Sequence, residues 1–462
     1  MFDDTIAAIA TPLGEGGLAV IRISGPRALA VADRVFTPCG AKSCKPSEAV
    51  SHTIHYGKVM RDGRQLDEVL CAVMRAPRTF TREDVVEITC HGGVLSTKTV
   101  LDRVLECGAR PALPGEFTQR AFLNGRIDLA QAEAVADLIH ARTELALTAA
   151  NEQLAGKLSQ RINQLREELM LTLAHIEAHI DFPEEDIAPD TQTQLEGRMV
   201  RAIEFIEELL RTANEGQILR RGIRAAIVGR PNAGKSSLLN QLLGHDRAIV
   251  SPVPGTTRDT IEETANVRGI PVVFIDTAGL REATDEIESE GVRRSRASLA
   301  KAELILHVLD AGEPLHPDDE KLLHDFVDRK RIIIRNKIDL PTRLVFESKI
   351  RNSKSEMVPQ VDVCSKSGAG IEHLKDTIKS LVWSGRISAD NSQVAINSRH
   401  QDALKRACGS LRLALEALRG NASLEFVALD LRQGIAAVGE IVGKTTTEDL
   451  LDAVFSQFCI GK

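Results

Sequence analysis

A glycine-rich loop placed directly after a strand pattern limits what this chain can fold into more than any other feature. The apolar run Ile223 to Val228 predicts a buried strand, and the residues GRPNAGKSS follow it at 229–237. The chemistry of such a loop needs glycines so that backbone N–H groups can curl around phosphate oxygens. It also needs a lysine to reach the phosphates and a hydroxyl to bind Mg²⁺. Lys235 and Ser236 fill these roles, and the helical pattern SLLNQLL comes next, so the sequence predicts a nucleotide-binding α/β domain.

Later motifs indicate which nucleotide is bound. The stretch VVFIDTAG ends a second apolar strand at Asp276, which is expected to hold the magnesium through water. The stretch IIIRNKID ends a third strand in Asn336-Lys337-Ile338-Asp339. The Asp339 carboxylate can accept hydrogen bonds from N1–H and the exocyclic amine of guanine, and adenine would leave it unpaired. GTP is therefore preferred over ATP.

Two further segments complete the predicted GTP site. Cys364-Ser365-Lys366 takes the place of the Ser-Ala-Lys loop that usually lies beside the base, and the threonines of GTTRD at 255–259 can close over the magnesium and the γ phosphate. The motifs together predict a GTP site formed by Asn232, Ala233, Gly234, Lys235, Ser236, Ser237, Gly255, Thr256, Thr257, Asp276, Thr277, Ala278, Gly279, Asn336, Lys337, Asp339, Cys364, Ser365 and Lys366.

The residue that would orient the attacking water is not the usual one. Leu280 stands where Ras-like enzymes place a glutamine, so hydrolysis needs another arrangement. Candidates lie in the polar segment 281–290, and spacing alone leaves the choice open. They are Glu282, Asp285, Glu286, Glu288 and Glu290.

The chain has room for several domains, because 462 residues are too many for a single hydrophobic core. Short strand patterns fill residues 1–120, and long stretches with apolar residues every three or four positions then predict helices. That pattern stops at Pro183 and resumes from about Gln194 to Ala213. We predict an N-terminal α+β domain at 1–120, a helical domain at 121–219 and 385–462, and a Ras-like P-loop G domain inserted at 220–384.

Composition narrows the class of protein. No apolar run free of charge is long enough to span a bilayer, and the first residues lack a signal-peptide pattern, so a cytoplasmic protein without membrane contact is expected. The eight cysteines contain no Cys-x-x-Cys pair, which argues against a zinc ribbon or a disulfide framework. With a formal net charge of −7, any contact with RNA must use a local basic patch.

With these motifs in place, the chain resembles the bacterial MnmE/TrmE family of tRNA uridine-modification GTPases over essentially its whole length. The segments that carry the resemblance are DTIAAIATP, GEGGLAVIRISG, TREDVVEITCHGG, PGEFTQRAFLNGRIDLAQAEAVADLI, GRPNAGKSSLLN, GTTRD and the terminal FCIGK.

The resemblance implies a potassium-dependent GTPase whose G domains dimerise across their active sites. By that analogy K⁺ is bound by Asn232, Thr256 and main-chain oxygens around Ser251 and Val253, within a nucleotide-contacting segment that includes Pro252 and Pro254. Mg²⁺ is bound by Ser236 and Thr257. Catalysis is assigned to Glu288, which positions the water, together with Lys235 and Thr257.

The resemblance also implies a folate site in the N-terminal domain. A 5-formyl- or 5,10-methylene-tetrahydrofolate would bind there as a one-carbon donor, and the matching residues are Arg22, Glu87, Arg126 and Lys462. Cys459 has two possible roles, as a nucleophile or as a small residue packed near the chain end.

The function implied is addition of a carboxymethylaminomethyl or aminomethyl group at carbon 5 of a tRNA wobble uridine. A homodimer would act with an FAD-dependent partner of the MnmG/GidA type in a heterotetramer or a larger assembly. The alternatives are a GTP-switched RNA-binding ribosome assembly factor, which would share every G-domain motif, and a folate-dependent aminomethyl transferase with a regulatory G domain. Folate binding by the N-terminal domain and the CIGK segment would argue against the assembly factor.

Overall fold

The computed structural model describes residues 3–40, 44–181, 189–244, 263–275, 301–345, 357–383 and 395–462. The chain divides into two compact units, each built from separate stretches of sequence. The first unit contains Met1–Ala136, Gln153–Arg198 and Gly409–Lys462, and the second contains Asp137–Glu152 and Met199–Cys408. The predicted domain boundaries stay predictions, because this division groups the N-terminal sheet with helices from both ends of the predicted helical domain.

A seven-stranded sheet organises the N-terminal part of the first unit. Its strands are β1 Ile6–Ile9, β2 Gly16–Ser24, β3 Phe36–Pro38, β4 Thr53–Arg61, β5 Arg64–Met74, β6 Val85–Gly92 and β7 Arg110–Pro111, in the order β3-β4-β5-β6-β2-β1-β7. All neighbours are antiparallel except β1 and β7. Val69, Cys71 and Val73 alternate with exposed residues along β5, so one face of the sheet forms the core. Helices α1 Ala28–Val35 and α2 Val94–Glu106 pack on that face, and α3 Glu116–Leu123 follows.

The predicted helical stretch after the sheet forms four helices. They are α4 Leu129–His140, α5 Glu144–Leu154, α6 Lys157–Asp181 and α7 Pro189–Arg221. The apolar stripe of α6 is buried at Leu158, Ile162, Leu165, Leu169 and Ile176, as a period near 3.6 requires. Helix α7 extends beyond the predicted segment 194–213, because Ile218 and Leu219 are buried near its C-terminal end.

A six-stranded sheet forms the centre of the second unit. Its strands are β8 Ile223–Val228, β9 Glu263–Val267, β10 Ile270–Phe274, β11 Leu304–Asp310, β12 Arg331–Asn336 and β13 Gln360–Asp362, in the order β13-β12-β11-β8-β10-β9. All neighbours are parallel except β9 and β10. The helices of this part are α8 Lys235–Leu243, α9 Pro317–Asp325 and α10 Ile371–Val382. Strands β11 and β12 are buried along almost their whole length because both of their faces are covered.

The chain ends in three helices, α11 Ser398–Arg419, α12 Leu424–Val442 and α13 Glu448–Phe455. Helix α12 packs along α6, and Arg432 pairs with Glu177 across that contact. The predicted fold class is therefore confirmed: an α+β N-terminal part, a P-loop α/β part, and helices that precede and follow the latter in sequence. Among the helices in the described parts of the chain, none combines the length and the apolar character that a membrane span requires.

Candidate functional site

The six-stranded sheet places two of the predicted nucleotide motifs at one edge. Strand β8 lies between β11 and β10, so the chain leaves β8 on one side toward β10 and later returns to the other side at β11. Open parallel sheets bind ligands outside the carboxyl ends of the strands at such a reversal. The loop after β8 and the loop after β12 both begin at this edge.

Two glycines give the phosphate loop its path. Gly229 has φ +151°, and a Cβ built there would lie 2.3 Å from the Val308 carbonyl oxygen. Gly234 has φ +96°, and its Cβ would lie 2.1 Å from Asn336 Nδ2. Asn232 is also left-handed, at φ +63°. The loop therefore passes too close to β11 and to Asn336 for any side chain at either glycine.

The loop ends at the N-terminus of α8, where the backbone N–H groups of a first helical turn and the helix dipole favour an anion. No acidic residue occupies the first turn of this helix. Lys235 Nζ donates to the carbonyl oxygens of Gly229 at 2.8 Å and Arg230 at 2.7 Å, which holds the ammonium group against the loop. Burial lowers the pKa of Lys235. Ser236 is half-buried in the first turn, and Ser237 is exposed.

Asn336 joins the phosphate loop to the predicted base loop. Its Nδ2 donates to the Ala233 carbonyl oxygen at 2.8 Å, and its Oδ1 accepts from Ser365 N at 3.0 Å and from Ser365 Oγ at 2.9 Å. Asn336 is buried, so these bonds form away from water, where breaking them would leave unpaired polar groups. The two halves of a nucleotide site are thereby held in fixed register.

The two charged residues of the Asn336-Lys337-Ile338-Asp339 motif have different environments. Asp339 is exposed, and its Oδ1 accepts from the thiol of Cys364 at 3.2 Å. Lys337 has φ +65°, and its Nζ lies 2.6 Å from Asp310 Oδ2. Lys366 is exposed. The carboxylate predicted to select guanine is thus open to solvent at the mouth of the site.

Sequence reasoning missed two groups of ion pairs that support these loops. Arg230 within the phosphate loop pairs with Asp319 Oδ2 at 2.8 Å and Glu313 Oε2 at 2.7 Å, and Glu313 gives the largest contribution to raising the Arg230 pKa. Asp310, at the end of β11, receives Lys337. No local signal in the sequence identifies Asp310, Glu313 or Asp319, since each lies 27 to 89 positions from its partner.

Several predicted residues lie outside the described part of the chain. They are Ser251, Pro252, Val253, Pro254, Gly255, Thr256, Thr257, Asp276, Thr277, Ala278, Gly279 and Glu288. Of the residues assigned to metal ions, the structure describes Asn232 and Ser236.

The residues assigned to folate lie in the first unit. Arg22 and Glu87 are directly opposite each other on β2 and β6, with Arg22 Nε 2.7 Å from Glu87 Oε1. Arg22 Nη1 also donates to the Gly461 carbonyl oxygen at 3.2 Å, and its guanidinium lies over the Phe117 ring. The sheet and the last residues of the chain therefore meet at this pair.

The remaining residues of the set lie nearby but make different contacts. Burial, followed by the charge of Arg22, lowers the pKa of Lys462. Arg126 donates to the Thr79 carbonyl oxygen at 2.5 Å and lies over the Phe80 ring. Phe80 and Phe117 belong to one apolar cluster, which links Arg126 to Arg22. The Cys459 side chain is exposed.

The nucleotide geometry defines a class of protein. A glycine loop that opens a helix at a sheet reversal, tied through Asn336 to a loop bearing Asp339, is the arrangement of a P-loop GTP-binding domain.

Comparison with known proteins gives the family. The family model described as "MnmE helical domain" matches residues 129–459, and the one described as "GTP-binding protein TrmE N-terminus" matches residues 5–126. Proteins from Geobacter metallireducens, Listeria welshimeri and Chloroflexus aurantiacus, each named tRNA modification GTPase MnmE, are 47%, 48% and 48% identical to this chain. The alignments cover 100%, 99% and 100% of this chain and 99%, 99% and 100% of those proteins. The chain belongs to the MnmE/TrmE family of tRNA modification GTPases, and the predicted enzyme class, a GTP hydrolase, is confirmed.

Proposed function

We propose that this protein hydrolyses GTP to drive a modification at carbon 5 of the wobble uridine of certain tRNAs. The group added is carboxymethylaminomethyl or aminomethyl, with tetrahydrofolate as the one-carbon source. A homodimer acts with an FAD-dependent partner of the MnmG/GidA type. The observation that carries the GTP step is the Asn336 side chain, which bonds both the phosphate loop and the base loop.

The residues around the phosphate loop suit the ions that the family resemblance implies. Ser236 places a hydroxyl in the first turn of α8, which suits Mg²⁺, a cation that prefers oxygen ligands. Asn232 is exposed and left-handed at the tip of the loop, and its amide oxygen is a suitable ligand for K⁺. Bound cations would offset negative charge that develops on the phosphates. Thr256, Thr257 and the main chain near Ser251 and Val253 complete the proposed ligands, and Glu288 positions the water.

The paired charges at Arg22 and Glu87 support folate binding in the first unit. The Glu87 carboxylate can accept hydrogen bonds from an amino group of a pterin, and Arg22, Arg126 and Lys462 can meet the glutamate tail. Arg22 is only about one-fifth exposed, so it is positioned by the fold rather than free in solvent. Cys459 is exposed near Lys462, whose pKa it raises slightly against the larger effect of burial. Its role as a nucleophile stays open to test.

Base preference tests the proposed nucleotide site. The Asp339→Asn variant should lose guanine-nucleotide affinity by on the order of 100-fold or more, because its amide would face the guanine donors with a donor of its own. It should gain affinity for xanthine nucleotides, which carry a carbonyl group where guanine carries the amine. Asp362→Asn is the matched control, since Asp362 pairs with Arg335 on the surface of the same sheet. Unchanged base preference in Asp339→Asn would refute the proposal that Asp339 selects guanine.

Two measurements test the finer parts of the proposal. GTP turnover in potassium and in sodium at equal ionic strength should differ, and equal rates would contradict cation-assisted hydrolysis.

Tetrahydrofolate should bind the protein and should bind the Arg22→Ala variant more weakly. Arg27→Ala, which removes an exposed side chain, is the control for that variant. Binding to ribosomal particles in the absence of folate binding would instead favour an assembly GTPase.

A further inference from the structure

The connection between β3 and β4 places a thiol beside an imidazole. Cys44 lies in this connection, and its Sγ is 3.9 Å from Nδ1 of His55 on β4. Both side chains are half-buried, so neither is closed off from a small molecule in solvent. A nucleophile within reach of a base, which is itself oriented by a third group, is the arrangement that activates a cysteine.

A chain of hydrogen bonds sets the tautomer of His55. The Thr53 hydroxyl lies 2.6 Å from the Val50 carbonyl oxygen and donates its single hydrogen there. The same Thr53 oxygen lies 2.9 Å from His55 Nε2, and it can only accept, so Nε2 carries the hydrogen. The neutral ring then has its lone pair on Nδ1, the nitrogen that faces Cys44. The imidazole is therefore prepared to take the proton of the thiol.

The segment that follows Cys44 is held by side chains from two other elements. Ser47 N donates to Asp33 Oδ1 on α1 at 2.9 Å. Arg75, directly after β5, donates to the carbonyl oxygens of Ser47 at 2.6 Å and Ala49 at 3.2 Å. The position of the thiol therefore depends on an anchored backbone.

The two nearest cysteines in sequence and in the sheet lack this arrangement. Cys71 lies directly opposite His55 on β5, but it is fully buried, and burial raises its pKa to about 12. Cys39 is half-buried like Cys44, but its Sγ lies 3.9 Å from the Thr37 carbonyl oxygen, which is not a base at neutral pH. Exposure therefore does not distinguish Cys44 from Cys39, whereas the imidazole does.

We propose that Cys44 is a modification site that reacts with low-molecular-weight disulfides, with His55 as its base and Thr53 as a positioning residue. Nδ1 of His55 takes the thiol proton, and the Cys44 thiolate attacks one sulfur of the disulfide. A new S–S bond forms at Cys44 while the S–S bond of the reagent breaks. The leaving thiolate recovers the proton from the imidazolium. Cys44 is oxidised to a mixed disulfide and half of the reagent is reduced to a thiol, so the step needs no other co-reactant.

The first test compares cysteines within the wild-type, full-length protein. The protein is incubated with hydroxyethyl disulfide at neutral pH, and peptide mass spectrometry measures the mixed disulfide formed at each cysteine. A thiol without a base is only a few per cent ionised at this pH, so Cys44 should react about 10-fold faster than Cys39. Cys71 should stay unmodified. Equal rates at Cys44 and Cys39 would overturn the inference.

Variants of the other two residues separate base chemistry from loop packing. His55→Gln should slow the reaction of Cys44 by about 10-fold, because an amide cannot take the proton. Thr53→Val should slow it by about 3-fold, the effect of one modest hydrogen bond, and Thr53→Ser should restore the wild-type rate.

GTP turnover controls for the integrity of these variants, because the nucleotide site belongs to the other unit. It should be the same in all three variants as in wild type. An unchanged or higher rate at Cys44 in His55→Gln would contradict the role of the imidazole. Equal rates in Thr53→Val and Thr53→Ser would contradict the role of the hydroxyl.

Discussion

Gly234 decides whether the phosphate loop can close at all. It combines a left-handed backbone with a position where an added Cβ would lie 2.1 Å from the amide nitrogen of Asn336. The same nitrogen donates to Ala233, so displacing Asn336 would also break the link between the two loops. Replacing the glycine hydrogen atom with a methyl group at this position would therefore displace the loop.

Gly234→Ala should abolish measurable binding of guanine nucleotides while leaving the protein folded. The physical reason is a clash with Asn336 added to left-handed strain, which costs about 1–2 kcal/mol by itself. Isothermal titration with GDP measures the effect. Gly409→Ala is the control, because Gly409 lies inside α11 with open space around its Cβ position. Normal GDP affinity in Gly234→Ala would contradict the claim that the phosphate loop cannot accept a side chain at this position.

His307 lies at the centre of the parallel sheet and should make the second unit sensitive to acid. Burial, followed by the charge of Arg331, lowers its pKa to about 4 from 6.5. The unfolded chain therefore takes up the proton first as the pH falls. Stability from this residue is complete above about pH 6.5 and declines toward pH 4, by about 2 kcal/mol between pH 7 and pH 5.

His307→Leu should remove that share of the pH dependence. The measurement is unfolding followed by the fluorescence of Trp383, the single tryptophan, which is buried in the core of the second unit. The difference in free energy of unfolding between pH 7 and pH 5 should be smaller in the variant than in wild type. An equal difference in both proteins would show that the pKa of His307 is the same in the folded and the unfolded state.

At the scale of elements, one buried arginine fastens α3 to the N-terminal sheet. Arg120 is fully buried and pairs with Glu83 at 3.1 Å, Asp4 at 2.7 Å and Glu116 at 3.0 Å. Glu83 also accepts from Ser24 Oγ at the end of β2. Helix α3 and residues in or beside three strands thus share one network. Removing its cation would leave the buried Glu83 carboxylate uncompensated, whereas Glu116 would keep its pair with Arg110.

Arg120→Ala should destabilise the first unit by roughly 3–5 kcal/mol. Hydrogen exchange in β2 and β6, read by mass spectrometry, measures the loss where it occurs. Arg110→Ala serves for comparison, since Arg110 also pairs with Asp4 and Glu116 but is 41% exposed and should contribute about 1 kcal/mol or less. Similar protection in wild type and Arg120→Ala would mean that the network adds little to the stability of this unit.

At the scale of the whole molecule, the first and last parts of the chain contact each other in the first unit. A Cβ at Gly461, which has φ +96°, would lie 2.4 Å from the Ile9 carbonyl oxygen. The Gly461 carbonyl oxygen receives Arg22, and Lys462 follows it. Two segments more than 400 positions apart are therefore needed together for the proposed folate site.

Gly461→Ala should weaken tetrahydrofolate binding by about tenfold or more and leave GTP turnover close to wild type, because the nucleotide site belongs to the other unit. Equilibrium dialysis with 5-formyl-tetrahydrofolate and a phosphate-release assay measure the two activities. Gly63→Ala separates strain from contact, since Gly63 also has positive φ but nothing lies within 4 Å of its Cβ position. Unchanged folate binding in Gly461→Ala would argue against a role for the chain end.

The fold class, the family and the order of the nucleotide motifs could be predicted from the amino-acid sequence alone. These depend on local patterns: a strand, a glycine loop and a helix in succession, and apolar residues at helical spacing in α6. The exact length of α7 could not be predicted from the local pattern, because its last turns depend on the burial of Ile218 and Leu219.

The side chains that hold the loops and the chain end in place were identified only from the folded structure. Four of these contacts cannot be predicted from spacing along the sequence. They are Arg230 with Asp319, Lys337 with Asp310, Cys364 with Asp339 and Arg22 with Gly461. Hydrogen bonds and ion pairs act over about 3 Å in space and are independent of distance along the chain. A sequence pattern therefore identifies a loop by its local geometry, whereas the partners that orient its side chains are selected when distant elements pack together.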